Sequence, residues 1–153
     1  MQIKKLMLAT DFSESSKAAL EMAATMRDQF ACQLDVLHAF DPKGLEYAAG
    51  HYLMPTMGSW LSERVTCLRG LAQKTLGEIC EKLGPCTEHL VEGPPGDMIV
   101  RFARENHTDM IVMGTHGHEG LKRLVMGSVA EQVVRHAPCA VLIIKADADD
   151  EDV

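Results

Sequence analysis

The chain has few aromatic side chains, no paired cysteines and no long apolar run. Phe, Trp and Tyr together make up 5% of its 153 residues, so aliphatic side chains and methionine must fill the core. The five cysteines, Cys32, Cys67, Cys80, Cys86 and Cys139, are odd in number and form no C-x-x-C pair. Most fall inside apolar patterns, which reads as free, mostly buried thiols in a reducing compartment. The apolar run after Met1 is too short for a signal peptide, and no segment could span a bilayer, so a cytoplasmic protein is expected.

A basic surface is missing as well. The net charge is −7, and Asp147, Asp149, Asp150, Glu151 and Asp152 account for all but two of those charges. That balance argues against a nucleic-acid partner, which needs a basic footprint. Residues 147–153 are expected to form a disordered acidic tail behind a single domain spanning 1–146.

Several motifs are also absent. There is no G-x4-G-K-[ST], hence no lysine-bearing P-loop. No G-x-G-x-x-G follows the first strand, which argues against a dinucleotide cofactor. No Ser or Cys sits in a recognisable nucleophile motif. His116 and His118 form an H-x-H pair without a third ligand at suitable spacing, whereas zinc sites take three or four.

Strand-like and helix-like segments do alternate along the chain. Apolar runs at 3–9, 34–40, 87–91, 110–113 and 139–144 read as strands. Ala19, Ala23, Met26 and Phe30 recur at helical spacing within 13–30. A second stripe, Leu61, Val65, Leu68, Ala72, Ile79 and Leu83, marks a long helix over 59–83 that Gly84-Pro85 would end. Ile99, Phe102 and Ala103 give a helix over 95–106, and 128–136 gives another. Residues 41–58, rich in Pro and Gly, read as a long loop. Continuous apolar strands between helices imply a parallel sheet covered on both faces. The expected fold is one doubly wound α/β domain.

Between the fourth strand and the last helix lie Gly114, Gly117 and Gly127, spaced G-x2-G-x9-G and followed by Ser128. Glycines let the backbone approach a ligand closely, and a helix starting after Gly127 would aim unpaired N–H groups at the same place. These are the requirements of a phosphate cradle. Ser128 and Glu131 also fit an S-x-x-E capping box, and Asp11 or Ser13 could cap the first helix. Lys122 and Arg123, between the second and third glycines, either screen phosphate charge or are simply solvated.

With Leu8-Ala-Thr-Asp-Phe-Ser13, Leu37-His-Ala39, Asp109-Met-Ile-Val-Met-Gly114 and the terminal Ala137-Pro-Cys-Ala-Val-Leu-Ile-Ile144, the chain resembles the universal stress protein family over nearly its whole length. The resemblance implies a five-stranded parallel sheet of order 3-2-1-4-5, with the first and fourth strands adjacent. It also implies ATP binding. Gly114, Gly117, Gly127 and Ser128 would hold the phosphates through backbone N–H groups and one hydroxyl. Thr10 and Asp11 would meet the ribose and phosphate side, with Asp11 helping Mg²⁺. Ala39 would meet adenine through its backbone, and Met113, Thr115, His116 and Val129 would line the crevice. Ala9, also at that wall, stands where some ATP-binding members have proline.

No base or charge clamp for fast hydrolysis is evident. The expected function is therefore an ATP-binding regulator of the stress response, with the nucleotide as a conformational ligand. A nucleotide-free interaction module and a slow ATPase or autokinase are the alternatives. Homodimerisation is expected through the apolar edge of the last strand, around Cys139, Val141 and Ile143; the downstream protein is unknown.

Overall fold

A computed structural model describes residues 2–44, 58–115 and 126–145. The expectations for His116, Gly117, His118, Lys122, Arg123, most of the 41–58 loop and the acidic tail fall outside these residues.

Among the described residues nine elements alternate: β1 (Lys5–Ala9), α1 (Glu14–Phe30), β2 (Gln33–Phe40), α2 (Gly58–Leu83), β3 (Thr87–Glu92), α3 (Pro95–Glu105), β4 (Met110–Gly114), α4 (Ser128–His136) and β5 (Ala140–Ile144). All strand pairs are parallel, in the order β3-β2-β1-β4-β5, as the resemblance implies. Leu6, Met7 and Leu8 of the central strand are wholly buried, because helices cover both faces of the sheet. Met7 and Leu37 pack with Ile99, Val100, Ala103, Ala130 and Val133 of α3 and α4. On the opposite face, Leu6, Leu8 and Val36 pack with Ala19, Ala23, Leu76 and Leu83 of α1 and α2.

Two helical stripes run past the sheet. Ala19 and Ala23 are buried as expected, but Phe30 is 46% exposed. A 17-residue helix rises about 25 Å, whereas the five-residue strand it covers spans about 17 Å. The mismatch is larger for α2, where about 39 Å of helix accompanies about 20 Å of β3. Only Ala72, Leu76 and Leu83 of α2 are buried; the expected inward residues Leu61, Val65 and Leu68 are half-buried. The helix runs against β3, so its first half overhangs the carboxyl ends of the strands. Gly84, at φ +84°, ends α2 by donating its N–H to the Cys80 carbonyl at 3.2 Å. Among the described residues no helix is long and apolar enough to cross a membrane.

At the amino edge of the sheet, Asp109 accepts the N–H groups of Lys4 and Lys5, each at 2.9 Å. Those two bonds hold its carboxyl below the usual range.

Candidate functional site

Ala9 of β1 stands in register with Met113 of β4. From β1 the chain crosses to β2 on one side, while β4 lies on the other, so their carboxyl ends flank the point where strand order reverses. Ligands of open parallel sheets settle there.

The wall after β1 is a self-bonded turn. Thr10, 6% exposed, donates its N–H to the Leu37 carbonyl at 2.9 Å. Its Oγ1 accepts the Phe12 N–H at 3.1 Å, holding Phe12 in a left-handed conformation at φ 66°. Asp11 Oδ1 accepts the Ser13 N–H at 3.0 Å and the hydroxyls of Ser13 and Ser16, both at 2.5 Å. Ser13 occupies the cap position of α1 but makes no side-chain capping bond; its hydroxyl turns back to Asp11. The carboxylate thus fixes the start of α1, whatever else it meets.

His38, quoted in the sequence but given no role, belongs to this wall. Its Nδ1 lies 2.8 Å from the Thr10 carbonyl, which can only accept, so Nδ1 carries the proton. The ring stacks on Phe12 with centroids 4.1 Å apart. No sequence periodicity links positions 10, 12 and 38; only strand pairing does. Ala39 follows at the end of β2, half-buried.

The opposite wall is β4 and the start of α4. At Gly114 a Cβ would sit 2.9 Å from the Ser15 carbonyl carbon, its oxygen and its hydroxyl. The first turn of α1 therefore requires glycine here, independently of any ligand. Thr115, 6% exposed, donates its N–H to the Ile144 carbonyl at 3.0 Å and accepts the Gly127 N–H at 2.8 Å. The Gly127 N–H is thus already committed, which corrects the expectation that it donates to a phosphate.

Gly127 is the cap residue of α4 and Ser128 its first helical residue. The first intrahelical bond runs from the Glu131 N–H to the Gly127 carbonyl at 2.9 Å. The N–H groups of Ser128, Val129 and Ala130 thus have no partner within the helix, and among the described residues no side chain caps it. The capping box is not formed: Glu131 instead binds Arg135 at 2.6 Å. Ser128 is exposed and Val129 half-buried. Ala9 and Met113 bury their side chains in the core beneath α3 and α4, so what they offer the crevice is backbone. Among the described residues no group of three His, Cys, Asp or Glu could hold a metal.

A model of the universal stress protein family matches residues 2–145. Universal stress protein MJ0531 of Methanocaldococcus jannaschii is 33% identical over 145 residues, covering 93% of this chain and 82% of that protein. The solved structure of MJ0577, from the same organism, superimposes with a TM-score of 0.80 at 27% identity, covering 97% of this chain and 99% of the other. A universal stress protein of Archaeoglobus fulgidus, solved in complex with dAMP, gives a TM-score of 0.64 at 26% identity, covering 95% of this chain and 100% of the other.

Proposed function

The chain belongs to the universal stress protein family, and we propose that it is an adenine-nucleotide-binding regulator that takes ATP at the carboxyl ends of β1 and β4. The observation carrying this reading is the bare start of α4 at the sheet's switch point. Three main-chain N–H groups and a helix dipole face the crevice with no capping side chain among the described residues, which is what a polyanion needs. The dAMP complex of the Archaeoglobus relative supports adenine as the base.

In this reading the phosphates rest on the N–H groups of Ser128 and Val129 and on the Ser128 hydroxyl, with Gly117 and His116 contributing from the segment before. Gly127 acts by leaving room: its φ of −60° is open to any residue, so the need is for close approach. Thr10 and Asp11 face the ribose and phosphates, and the Ala39 backbone meets the base. Mg²⁺ would be held chiefly by the phosphates, with Asp11 as the protein's carboxylate; such an ion spreads phosphate charge that no P-loop lysine meets here.

Asp11 Oδ1 is committed to the start of α1 and His38 Nδ1 is bonded to the Thr10 carbonyl, and the sequence offers no evident base or charge clamp for fast hydrolysis. The nucleotide therefore acts as a ligand that shifts conformation, with very slow turnover or none. The downstream reading is a cytoplasmic stress regulator.

The decisive measurement is calorimetric titration of Gly127→Val with Mg-ATP. Wild type should bind, and the variant should give no heat while retaining its melting temperature. A variant that binds like wild type rules out the cradle. A silent wild type makes the chain a nucleotide-free interaction module, a reading favoured by the purely structural duty of Gly114. Steady release of labelled phosphate would make it a slow ATPase.

The β5 edge, with Val141 and Ile143 half-buried, is proposed to pair with a second copy. A monomeric mass by light scattering at micromolar concentration overturns that.

A further inference from the structure

A second chemically distinct place lies at the opposite, amino edge of the sheet. Cys80 is in the last turn of α2 and Cys86 stands just before β3, with the Gly84-Pro85 turn folding the chain back between them. The Cys86 thiol donates to the Cys80 carbonyl over 3.8 Å. That carbonyl also accepts the Gly84 N–H, so the turn itself brings the two cysteines together. Both are half-buried against the α1–α2 face of the core.

Their surroundings differ. Cys86 lines an open cavity of about 800 Å³ together with Lys5, Arg27, Cys32 and Pro85, and Cys80 lies outside that lining. The Arg27 guanidinium is fixed there, donating to the Leu83 carbonyl at 2.6 Å and the Pro85 carbonyl at 3.3 Å. Cys86 therefore lines solvent-open space beside the Arg27–Asp28 ion pair, and Cys80 does not line that cavity. A reactive cysteine with a resolving partner takes this form.

We propose that Cys86 and Cys80 are a hydroperoxide-sensitive dithiol, with Cys86 attacking and Cys80 resolving. The Cys86 thiolate attacks the peroxide oxygen; an S–O bond forms, the O–O bond breaks, and the departing oxygen takes a proton to leave as water or an alcohol. Sulfur is oxidised by two electrons and the peroxide reduced by two. The Cys80 sulfur then attacks the sulfenic sulfur. An S–S bond forms, the S–O bond breaks, and the hydroxyl leaves as water with the Cys80 proton. Two thiols and one hydroperoxide give a disulfide, one water, and a second water or an alcohol. Burial, then the adjoining Cys86 thiol, push Cys80 up to about 12, which argues against Cys80 as the thiol that attacks the peroxide first.

The test uses the full chain, hydrogen peroxide, and N-ethylmaleimide to block the remaining thiols. Trypsin cuts after Lys82, so a bridge between Cys80 and Cys86 joins peptides 75–82 and 83–101. Wild type should lose two of its five alkylatable thiols and yield that joined pair, which dithiothreitol separates. Cys80→Ser should leave Cys86 as a sulfenic acid labelled by dimedone. Cys86→Ser should keep its remaining thiols at the same dose. A bridge from Cys32 to Cys86, a bridge through Cys67 between two copies, or retention of all five thiols under excess peroxide overturns the assignment. The wild-type peptide map decides even if a variant fails to fold.

Discussion

The carbonyl of Thr115 accepts the N–H of Gly127 at 2.8 Å. This bond joins the two ends of the glycine-rich segment and fixes the start of α4 beside β4, leaving the next three N–H groups of α4 without helical partners. Ser128 stands at that start as an exposed first helical residue and not as a cap. Ser128→Ala should therefore change stability by no more than ~0.5 kcal/mol, whereas loss of a true cap costs ~1 kcal/mol. The same variant should weaken Mg-ATP binding roughly tenfold, about 1.4 kcal/mol. Thermal melting and calorimetry read the two effects separately; a large drop in melting temperature with unchanged affinity would restore the capping role.

Gly114→Ala places a methyl group 2.9 Å from the backbone of Ser15. Either α1 shifts or β4 does, and overpacking of this kind costs ~1–3 kcal/mol. Urea denaturation should show a lower midpoint with an unchanged slope. A midpoint equal to wild type would mean that the first turn of α1 yields freely.

Two positions of α2 should respond differently to truncation. Leu76 is fully buried and Leu71 is 58% exposed. Leu76→Ala should cost ~2–5 kcal/mol, and Leu71→Ala about 0.5 kcal/mol or less. Equal losses would mean that Leu71, on the outer face of α2 beside β3, is packed as closely as Leu76.

Asp109 holds a carboxyl that the N–H groups of Lys4 and Lys5 depress. Its folded value lies below the unfolded one of about 3.9. Its contribution is therefore complete above that pH and vanishes as pH falls through the folded value. Asp109→Asn should melt below wild type at neutral pH, and the gap should narrow on acidification below about pH 4. A gap that stays constant between neutrality and pH 2 would show that the charge plays no part.

Much of this architecture was legible locally. The α4 boundaries at Ser128 and His136 followed from a glycine, a polar start and a run of valines, all within ten positions. Burial along α2 was less legible: Leu76 went unnoticed and Leu61 was expected inward, because periodicity gives the direction of a face but not the length of sheet beneath it. His38 lay in a quoted motif without a role, since its partners Thr10 and Phe12 are reached only by strand pairing.

The sequence by itself determined the alternation of strands and helices, the doubly wound class and the glycine spacing, because hydrophobic period and turn chemistry act over a few residues. Tertiary structure alone decided which groups at the crevice stay available. Gly127 gives its N–H to Thr115, Gly114 yields space to Ser15, Asp11 binds the start of α1, and Met113 turns into the core. Apart from Asp11, whose partners lie in its own turn, each of these depends on a neighbour distant along the chain, and only packing brings such neighbours within hydrogen-bond or van der Waals reach.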